Sequence, residues 1–257
     1  MKTIDAGAGL AWIREGVALF RIRPFLLTNV FIACFFFMTI IGAFPLIGSA
    51  LPPLLAPVFS VFFLHVIHDV REQRPFDYSH LFALFRTPVV FRLMTLGALY
   101  FFAAVAAVYA SSHVDGGVFM RLMGGEQMEM ETLQVAAVRQ AVFLFVFLIL
   151  LSQFCFWFVA PLIAWKDMPV GQSLFYNFFT ILRIWKAFFV YLLGLFMACF
   201  ITPMMISTFI MLLLGRNIGL LVTFSLMMMV AVLVYCSFYS MFVSLFGGPS
   251  SEGVSFD

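Results

Sequence analysis

The stretch FLHVIHDVREQ, residues 63–73, carries the strongest candidate for a metal site in this sequence. His65, His68, Asp69 and Glu72 follow one another at i, i+3, i+4 and i+7, so a helix would present all four side chains on one face. Imidazole and carboxylate groups at this spacing are suitable ligands for zinc or iron. The alternative interpretation is that the same residues form the polar end of an apolar helix.

We favour the helix-end interpretation of this stretch. Arg71 and Arg74 lie close to the two carboxylates in the sequence and are able to neutralise them. A helix that leaves a bilayer must also become polar where it meets water. Metal binding through the four residues is therefore kept as an alternative, and we expect no cofactor.

The composition excludes a water-soluble globular protein. Of the 257 residues, 64% are hydrophobic and 10% are charged, whereas soluble domains carry about 25% charged residues. Each membrane-spanning helix needs about 20 apolar residues, so a chain of this length accommodates six or seven spans and little else. We expect a non-enzymatic protein, because no room remains for a soluble catalytic domain. The formal net charge of +2 gives no reason to expect a nucleic-acid partner.

Six apolar runs are long enough to cross a bilayer, and none has an acidic residue in its interior. The runs are 25–47, 51–68, 92–112, 141–165, 187–214 and 220–246. They predict an all-α membrane protein with about six transmembrane helices. We expect one polytopic domain over residues 1–247, followed by a flexible tail over residues 248–257.

The distribution of basic residues predicts the orientation of these helices. Eleven of the 14 Lys and Arg residues fall in the N-terminal segment or in the second-to-third and fourth-to-fifth connections. By the positive-inside rule, these segments and both termini are cytoplasmic. The expected location is the inner, or cytoplasmic, membrane of a bacterium. Trp12, Trp165 and Trp185 fall near the same boundary, where an aromatic belt is expected.

A similar segment precedes the first, third and fifth runs. The three copies read GVALFRIRPFLL, HLFALFRTPVVF and NFFTILRIWKAFF. Each places an apolar cluster before an arginine, which is Arg21, Arg86 or Arg183. In the third copy the polar residues, including Ser173 and Asn177, fall on one helical face and the apolar residues on the other. This pattern predicts three transmembrane hairpins, each preceded by an amphipathic helix that lies in the cytoplasmic interface.

Three longer stretches carry a family resemblance. They are GAGLAWIREGVALFRIRP at 7–24, PVFSVFFLHVIHDVREQRPFDYSHLFALFR at 57–86 and FVAPLIAWKDMPVGQSLFYNFFTILRIWKAFFVYLLGL at 158–195. Together they resemble a family of six-helix integral inner-membrane proteins, mostly proteobacterial, whose function is uncharacterised. The resemblance implies a polytopic helical bundle and supplies no catalytic residues. It covers most of the chain, and its motifs are architectural.

These observations lead to one preferred function and one further alternative. We expect the apolar bundle to handle a hydrophobic client, either a lipid or another membrane protein, and we leave a homo-oligomer open. The arginines expected to meet anionic lipid headgroups are Arg21, Arg86 and Arg183. The alternative is a passive channel or carrier for a small solute. The side chains expected to line its path are Asn29, Gln153 and Thr202.

Overall fold

The computed structural model describes residues 5–44, 48, 50–75, 87–124 and 135–249. Throughout these residues the chain forms helices and connecting turns, and no strand occurs among them. The protein is an all-α membrane protein, as the composition predicts. Six helical segments are long and apolar enough to span a bilayer: Pro24–Gly42, Leu51–Arg71, Val89–Asp115, Ala136–Lys166, Trp185–Leu214 and Arg216–Phe246. The prediction of about six spans is confirmed.

The helices of the described residues are numbered here in chain order. The first five are α1 (Ala8–Ile22), α2 (Pro24–Gly42), α3 (Leu51–Arg71), α4 (Val89–Asp115) and α5 (Val118–Met123). The next three are α6 (Val135–Phe156), α7 (Val159–Lys166) and α8 (Val170–Arg183). The last three are α9 (Trp185–Phe196), α10 (Thr202–Leu214) and α11 (Arg216–Phe246). A short π-helical segment, Met197–Ile201, joins α9 to α10.

Several helix ends gather at one end of the bundle. The Arg23 guanidinium donates to the Arg74 carbonyl at 3.1 Å, which joins the start of α2 to the end of α3. The Arg92 guanidinium donates to an Asp167 carboxylate oxygen at 2.7 Å, which joins the start of α4 to the end of α7. We call this the basic end, and its cationic side chains include those of Arg23, Arg71, Arg92 and Lys166.

Most buried side chains lie in the half of the bundle next to the basic end, which we call the packed half. In α3 the buried residues are concentrated in Pro57–Val70, and in α11 they are concentrated between Val232 and Phe242. The opposite half, which we call the open half, leaves many large apolar side chains exposed. Examples are Met204, Leu212 and Leu221. Exposed apolar side chains are the expected surface of a protein that faces lipid.

Glycines allow close helix crossings in the bundle. A Cβ at Gly16 of α1 would lie 2.5 Å from the Ser237 backbone of α11. A Cβ at Gly97 of α4 would collide with the Leu54 backbone of α3. Small residues at such crossings bring helices into van der Waals contact, which is a main source of association free energy in lipid.

The three tryptophans expected in an aromatic belt differ in their exposure. Trp12 and Trp165 are buried in the packed half, whereas Trp185 is exposed. Trp165 makes edge-to-face contacts with the rings of Tyr239 and Phe242. An indole at the edge of the membrane therefore serves here as packing between helices as well as an interfacial side chain.

Candidate functional site

A cavity of about 350 Å³ lies between α3, α4, α6, α7 and α11. A smaller one of about 260 Å³ shares much of its wall. The side chains that line both are those of Ser60, Tyr100, Gln153, Trp157, Tyr235 and Phe238. Four of these six carry a hydroxyl or an amide. The walls therefore combine aromatic rings with groups that form hydrogen bonds.

The polar groups of the cavity lie at one depth. Each of the helices α3, α4 and α11 has one terminus at the basic end, which is Arg71, Val89 or Phe246 respectively. Counted from that terminus, the polar residues Ser60, Tyr100 and Tyr235 each lie eleven residues along the helix. At 1.5 Å per residue, eleven residues correspond to about 16 Å. The hydrocarbon core of a bilayer is about 30 Å thick, so these groups fall near its middle.

An aromatic cluster closes the cavity toward the basic end. The Phe158 ring stacks on Phe238, with ring centroids 5.8 Å apart, and lies 5.5 Å from the Phe246 centroid. Trp157 meets Phe238 edge to face at 6.2 Å. We call Trp157, Phe158, Phe238 and Phe246 the aromatic seal. Residues of both α6 and α11 line the cavity, whereas α6 packs on α4 and α11 packs on α1 and α10.

The fourth span is broken between α6 and α7, and Trp157 and Phe158 of the seal lie in this break. In a continuous helix, backbone groups at this depth would bond within the helix, and in lipid a free group is costly. Asn177 of α8 supplies hydrogen bonds to the backbone groups that the break leaves without helical partners. Its amide donates to the Phe154 and Cys155 carbonyls at 2.9 and 2.8 Å. Its oxygen accepts the Phe158 N–H at 2.8 Å. Asn177 is therefore a positioning residue for the seal.

Asn177 also shows how α8 is oriented. Ser173 and Asn177 on its polar face are fully buried, while Phe175, Phe178 and Leu182 are exposed. Ser173 and Asn177 are thus turned toward the bundle, where α8 packs against α6 and α7, while Tyr176 and Arg183 of the same face are exposed. The sequence signals that bear on this contact are the asparagine in an amphipathic segment and the proline at position 161.

Two prolines in the cavity wall add hydrogen-bond acceptors. Pro57 of α3 and Pro161 of α7 both line the cavity. Proline has no backbone N–H, so the carbonyl four residues earlier loses its helical donor. The carbonyls concerned are those of Pro53 and Trp157, two residues that also belong to the cavity wall.

The structure separates the three residues that were predicted to line a path. Gln153 lines the cavity. Asn29 and Thr202 are exposed on the outside of the described bundle, and the Thr202 hydroxyl donates to the Met197 carbonyl at 3.2 Å. The sequence analysis missed Ser60, Tyr100 and Tyr235. Their shared distance of eleven residues from the basic ends of α3, α4 and α11 depends on helix bounds that the structure defines.

The two candidate metal-binding histidines make hydrogen bonds inside the packed half. His65 Nδ1 lies 2.9 Å from the Val61 carbonyl oxygen, to which it donates. The Trp165 indole N–H donates to His65 Nε2 at 3.1 Å. His68 Nδ1 lies 2.8 Å from the Tyr239 hydroxyl. Both nitrogens of His65 are therefore engaged by protein groups.

The two carboxylates of the same motif occupy different surroundings. Asp69 is buried, whereas Glu72 is exposed at the end of α3. In the described part of the chain, no three His, Cys, Asp or Glu side chains form a group able to hold a metal ion. Although the four residues share one helical face, His65 and His68 are hydrogen-bonded to Trp165 and Tyr239, and Glu72 is exposed.

The arginines proposed for lipid contact are only partly described. Arg21 and Arg183 are exposed near the basic end, at the last turns of α1 and α8. Arg86 lies outside the described residues.

Comparison with known proteins identifies a relative along nearly the whole chain. A probable inner membrane protein of Burkholderia thailandensis is 30% identical over 251 residues, which cover 95% of this chain and 93% of the relative. No protein-family model matches the chain, and no solved structure matches it. The similarity agrees with the membrane family that the sequence motifs resemble.

Proposed function

The chain belongs to the same family as the probable inner membrane protein of Burkholderia thailandensis, and from this premise we propose that it is an inner-membrane protein that binds a membrane-soluble client. The client enters the cavity between α6 and α11 from within the bilayer. The protein does not transform it chemically. The observation that carries this proposal is a ligand-sized cavity whose polar groups lie at mid-membrane depth.

The cavity has the properties of a ligand site. Sites for small molecules are typically clefts of 300–1,000 Å³ with apolar walls and a few polar groups that fix orientation, and this cavity measures about 350 Å³. Polar groups that face hydrocarbon without partners are costly. A client with hydrogen-bonding groups would complete the bonding of Gln153 and of Tyr100, whose hydroxyl lies 3.5 Å from the Phe156 carbonyl, whereas the Tyr235 hydroxyl already bonds Ser60.

A client-binding role fits the cavity better than a channel does. A channel needs a continuous polar path from one side of the membrane to the other. Here the aromatic seal stands between the cavity and the basic end. Asn29 and Thr202, which would extend a path, are exposed elsewhere on the described bundle.

The basic end faces the cytoplasm in this proposal, with both termini on that side. The support is the excess of Lys and Arg in the segments that meet there. Arg21 and Arg183 would then contact anionic headgroups of the inner leaflet, where each basic residue contributes about 1 kcal/mol. Reporter fusions at the two termini test the orientation, and periplasmic activity of either fusion would overturn it.

A matched pair of substitutions on α4 tests client binding. Ala104 lines the cavity, and Ala106 is exposed two residues later. We expect Ala104→Trp to fill the cavity and remove the lipid-soluble compound that copurifies with the wild-type protein. Ala106→Trp, which adds the same bulk toward lipid, should leave that compound bound. Native mass spectrometry and organic extraction of protein purified in mild detergent measure the bound compound.

Two results would overturn the proposal. One is wild-type protein that carries no compound in excess of the surrounding lipid. The other is Ala104→Trp protein that retains the compound at the wild-type level. Thermal unfolding of both variants in detergent shows whether the bundle is intact. If Ala104→Trp fails to fold, Ala56→Leu at another wall position of the cavity replaces it.

Arg21 and Arg183 are tested separately from the cavity. The double change Arg21→Ala and Arg183→Ala should reduce the number of phosphatidylglycerol adducts in native mass spectra. Arg216→Ala removes an exposed arginine at the opposite end of the bundle and serves as the control. Unchanged adducts in the double variant would remove the headgroup role and leave the cavity proposal unaffected.

A further inference from the structure

The depth of the polar groups restricts the kind of client. Phospholipid headgroups and their ester carbonyls lie at the edges of the bilayer, whereas Ser60, Tyr100 and Tyr235 lie about 16 Å from the helix ends at the basic end. A phospholipid bound with its tails in the membrane would therefore present only hydrocarbon to these groups. The fitting client carries its polar part to the middle of the membrane.

The absence of charge in the wall restricts the client further. The residues that line the cavity within the described chain include no Asp, Glu, Lys, Arg or His. An ionised group at this depth would have no counter-ion and would be strongly disfavoured. The polar part of the client is therefore neutral, which excludes fatty-acid anions and phosphate esters.

The hydrogen-bonding groups of the wall favour a client that accepts a hydrogen bond at one point and donates one at another. Tyr100 donates to the Phe156 carbonyl at 3.5 Å, which is longer than an ordinary O–H···O bond of 2.5–3.0 Å. This hydroxyl is thus weakly held and able to turn to a ligand acceptor. Gln153 offers both a donor and an acceptor. The carbonyls freed by Pro57 and Pro161 are acceptors for a ligand hydroxyl.

The aromatic walls and the size of the cavity favour a flat ring. The rings of Tyr100 and Phe156 have centroids 4.6 Å apart, and Trp157 lies beside Phe238 on another wall. Aromatic side chains of this kind pack well against a planar ring. A volume of about 350 Å³ holds one such head group. It is too small for a transmembrane helix, whose diameter with side chains is about 10 Å.

From these four properties we propose that the client is a prenyl quinone, bound in its quinone or quinol form. The ring lies in the cavity beside Trp157, and its carbonyl or hydroxyl oxygens meet Tyr100, Tyr235 and Gln153. The isoprenoid tail leaves between α6 and α11 into the bilayer. This inference rests on the proposed function, because it names the client of the same cavity.

Quenching of tryptophan fluorescence by a quinone tests the inference. The probe is a ubiquinone analogue with a ten-carbon tail, titrated into full-length protein in lipid nanodiscs. We expect saturable quenching that Trp157→Phe removes and that Trp185→Phe, at an exposed tryptophan, leaves in place. The double change Tyr100→Phe and Tyr235→Phe should weaken binding about tenfold, since two hydrogen bonds are lost. Tyr109→Phe, at an exposed tyrosine of α4, is the control.

The outcomes separate this inference from the proposed function. Wild-type affinity in the double tyrosine variant, or equal competition by diacylglycerol and by the quinone analogue, overturns the quinone inference. If Ala104→Trp still releases a copurifying compound in that case, the client-binding proposal stands with another client. If wild-type protein binds no lipid-soluble compound of any kind, both fail together. Saturable quenching whose affinity falls about tenfold in the double variant, and which only quinones compete, supports the inference.

Discussion

The packed half and the open half of the bundle are built from similarly apolar sequence and differ in what joins their helices. In the packed half, Gly16 permits a close crossing, and buried hydrogen bonds such as Tyr191 to Ser237 link neighbouring helices. In the open half, side chains such as Met204 and Leu212 face outward, and the close contacts of Gly219 and Thr223 join one helix pair, α10 and α11. The difference teaches that hydrophobicity inserts helices into lipid, while small residues and polar contacts hold them together.

The cavity lies where the two halves meet. On the basic side, the aromatic seal joins α6 and α7 to α11, and on the other side no comparable cluster among the described residues does so. The cavity lies beside this change in packing. Substitutions in the two halves should therefore change the stability of the bundle to different extents.

The largest effect is expected at Asn177, which stabilises the broken span beside the seal. Asn177→Leu leaves the Phe154 and Cys155 carbonyls and the Phe158 N–H without their partner. Each buried group left unsatisfied costs about 1–3 kcal/mol, so we expect a loss of about 3–5 kcal/mol in the free energy of unfolding. Denaturation in mixed detergent micelles measures it. Gln172→Leu, at an exposed position of α8, is the control and should change little.

A loss below about 1 kcal/mol for Asn177→Leu, within the range of a surface change, would contradict this role. The variant should also weaken the binding of any ligand in the cavity, because Trp157 and Pro161 follow the break directly. If Asn177→Leu had so small an effect, the difference between the packed and open halves would rest on close helix crossings such as that at Gly16.

The second effect concerns the crossing of α1 over α11. Gly16→Val places a side chain where a Cβ would already lie 2.5 Å from the Ser237 backbone. Overpacking of this kind costs about 1–3 kcal/mol. Gly171→Ala, where a Cβ meets nothing within 4 Å, is the matched control and should be neutral or slightly stabilising. Equal unfolding free energies for the two variants would show that the α1–α11 crossing does not stabilise the packed half.

The third prediction contrasts one hydrogen bond from each half. Tyr191→Phe removes the bond to the Ser237 hydroxyl, which measures 3.0 Å. Thr223→Val removes a 2.7 Å bond to Ser207 between α10 and α11. Such bonds contribute about 0.6 kcal/mol on average in membrane proteins. We expect Tyr191→Phe to loosen the packed half around α1 and α9, and Thr223→Val to loosen only α10 and the first half of α11.

Hydrogen–deuterium exchange in nanodiscs measures this difference. Faster exchange in α1 and α9 after Tyr191→Phe is the expected result. After Thr223→Val, faster exchange should be confined to the open half. Faster exchange throughout the protein in both variants would show that the two halves unfold as one unit.

The smallest effect is expected for the ion pair at the basic end. Arg92 bonds Asp167 at 2.7 Å, and the Asp167 side chain is largely exposed. Exposed ion pairs contribute about 0–1 kcal/mol and are weakened by salt. Arg92→Ala should therefore lower the unfolding free energy by less than about 1 kcal/mol, with Arg92→Lys as the conservative control. A larger loss that persists at high salt would place this contact within the core of the packed half.

Much of the fold was predictable from the sequence because spanning a bilayer imposes a length and a composition. The six runs place the six spans to within a few residues at most ends, and α3 begins at Leu51 as its run does. The prolines at 52 and 53 fit there, since the first turn of a helix has no use for their N–H groups. The basic end also follows from the positions of the Lys and Arg residues in the sequence.

The candidate site was less predictable. Gln153 stood out as a rare amide inside an apolar run, and it does line the cavity. Tyr100 and Tyr235 did not stand out, because a tyrosine within an apolar run also suits ordinary packing. The spacing of His65 and His68 suggested ligands, yet Trp165 and Tyr239, about 100 and 170 residues away, bond their nitrogens.

The sequence by itself determined that this chain is an all-α membrane protein with about six spans and one basic end. These properties depend on the free energy of transferring each segment into lipid, which is a sum over local residues. Only the tertiary structure decided which faces meet: it turned Asn177 inward to satisfy a broken helix, buried Trp165, and brought Ser60, Tyr100 and Tyr235 to one depth around a cavity. In lipid, no general hydrophobic force selects among helix faces, so that choice depends on packing and hydrogen bonds between residues far apart in the chain.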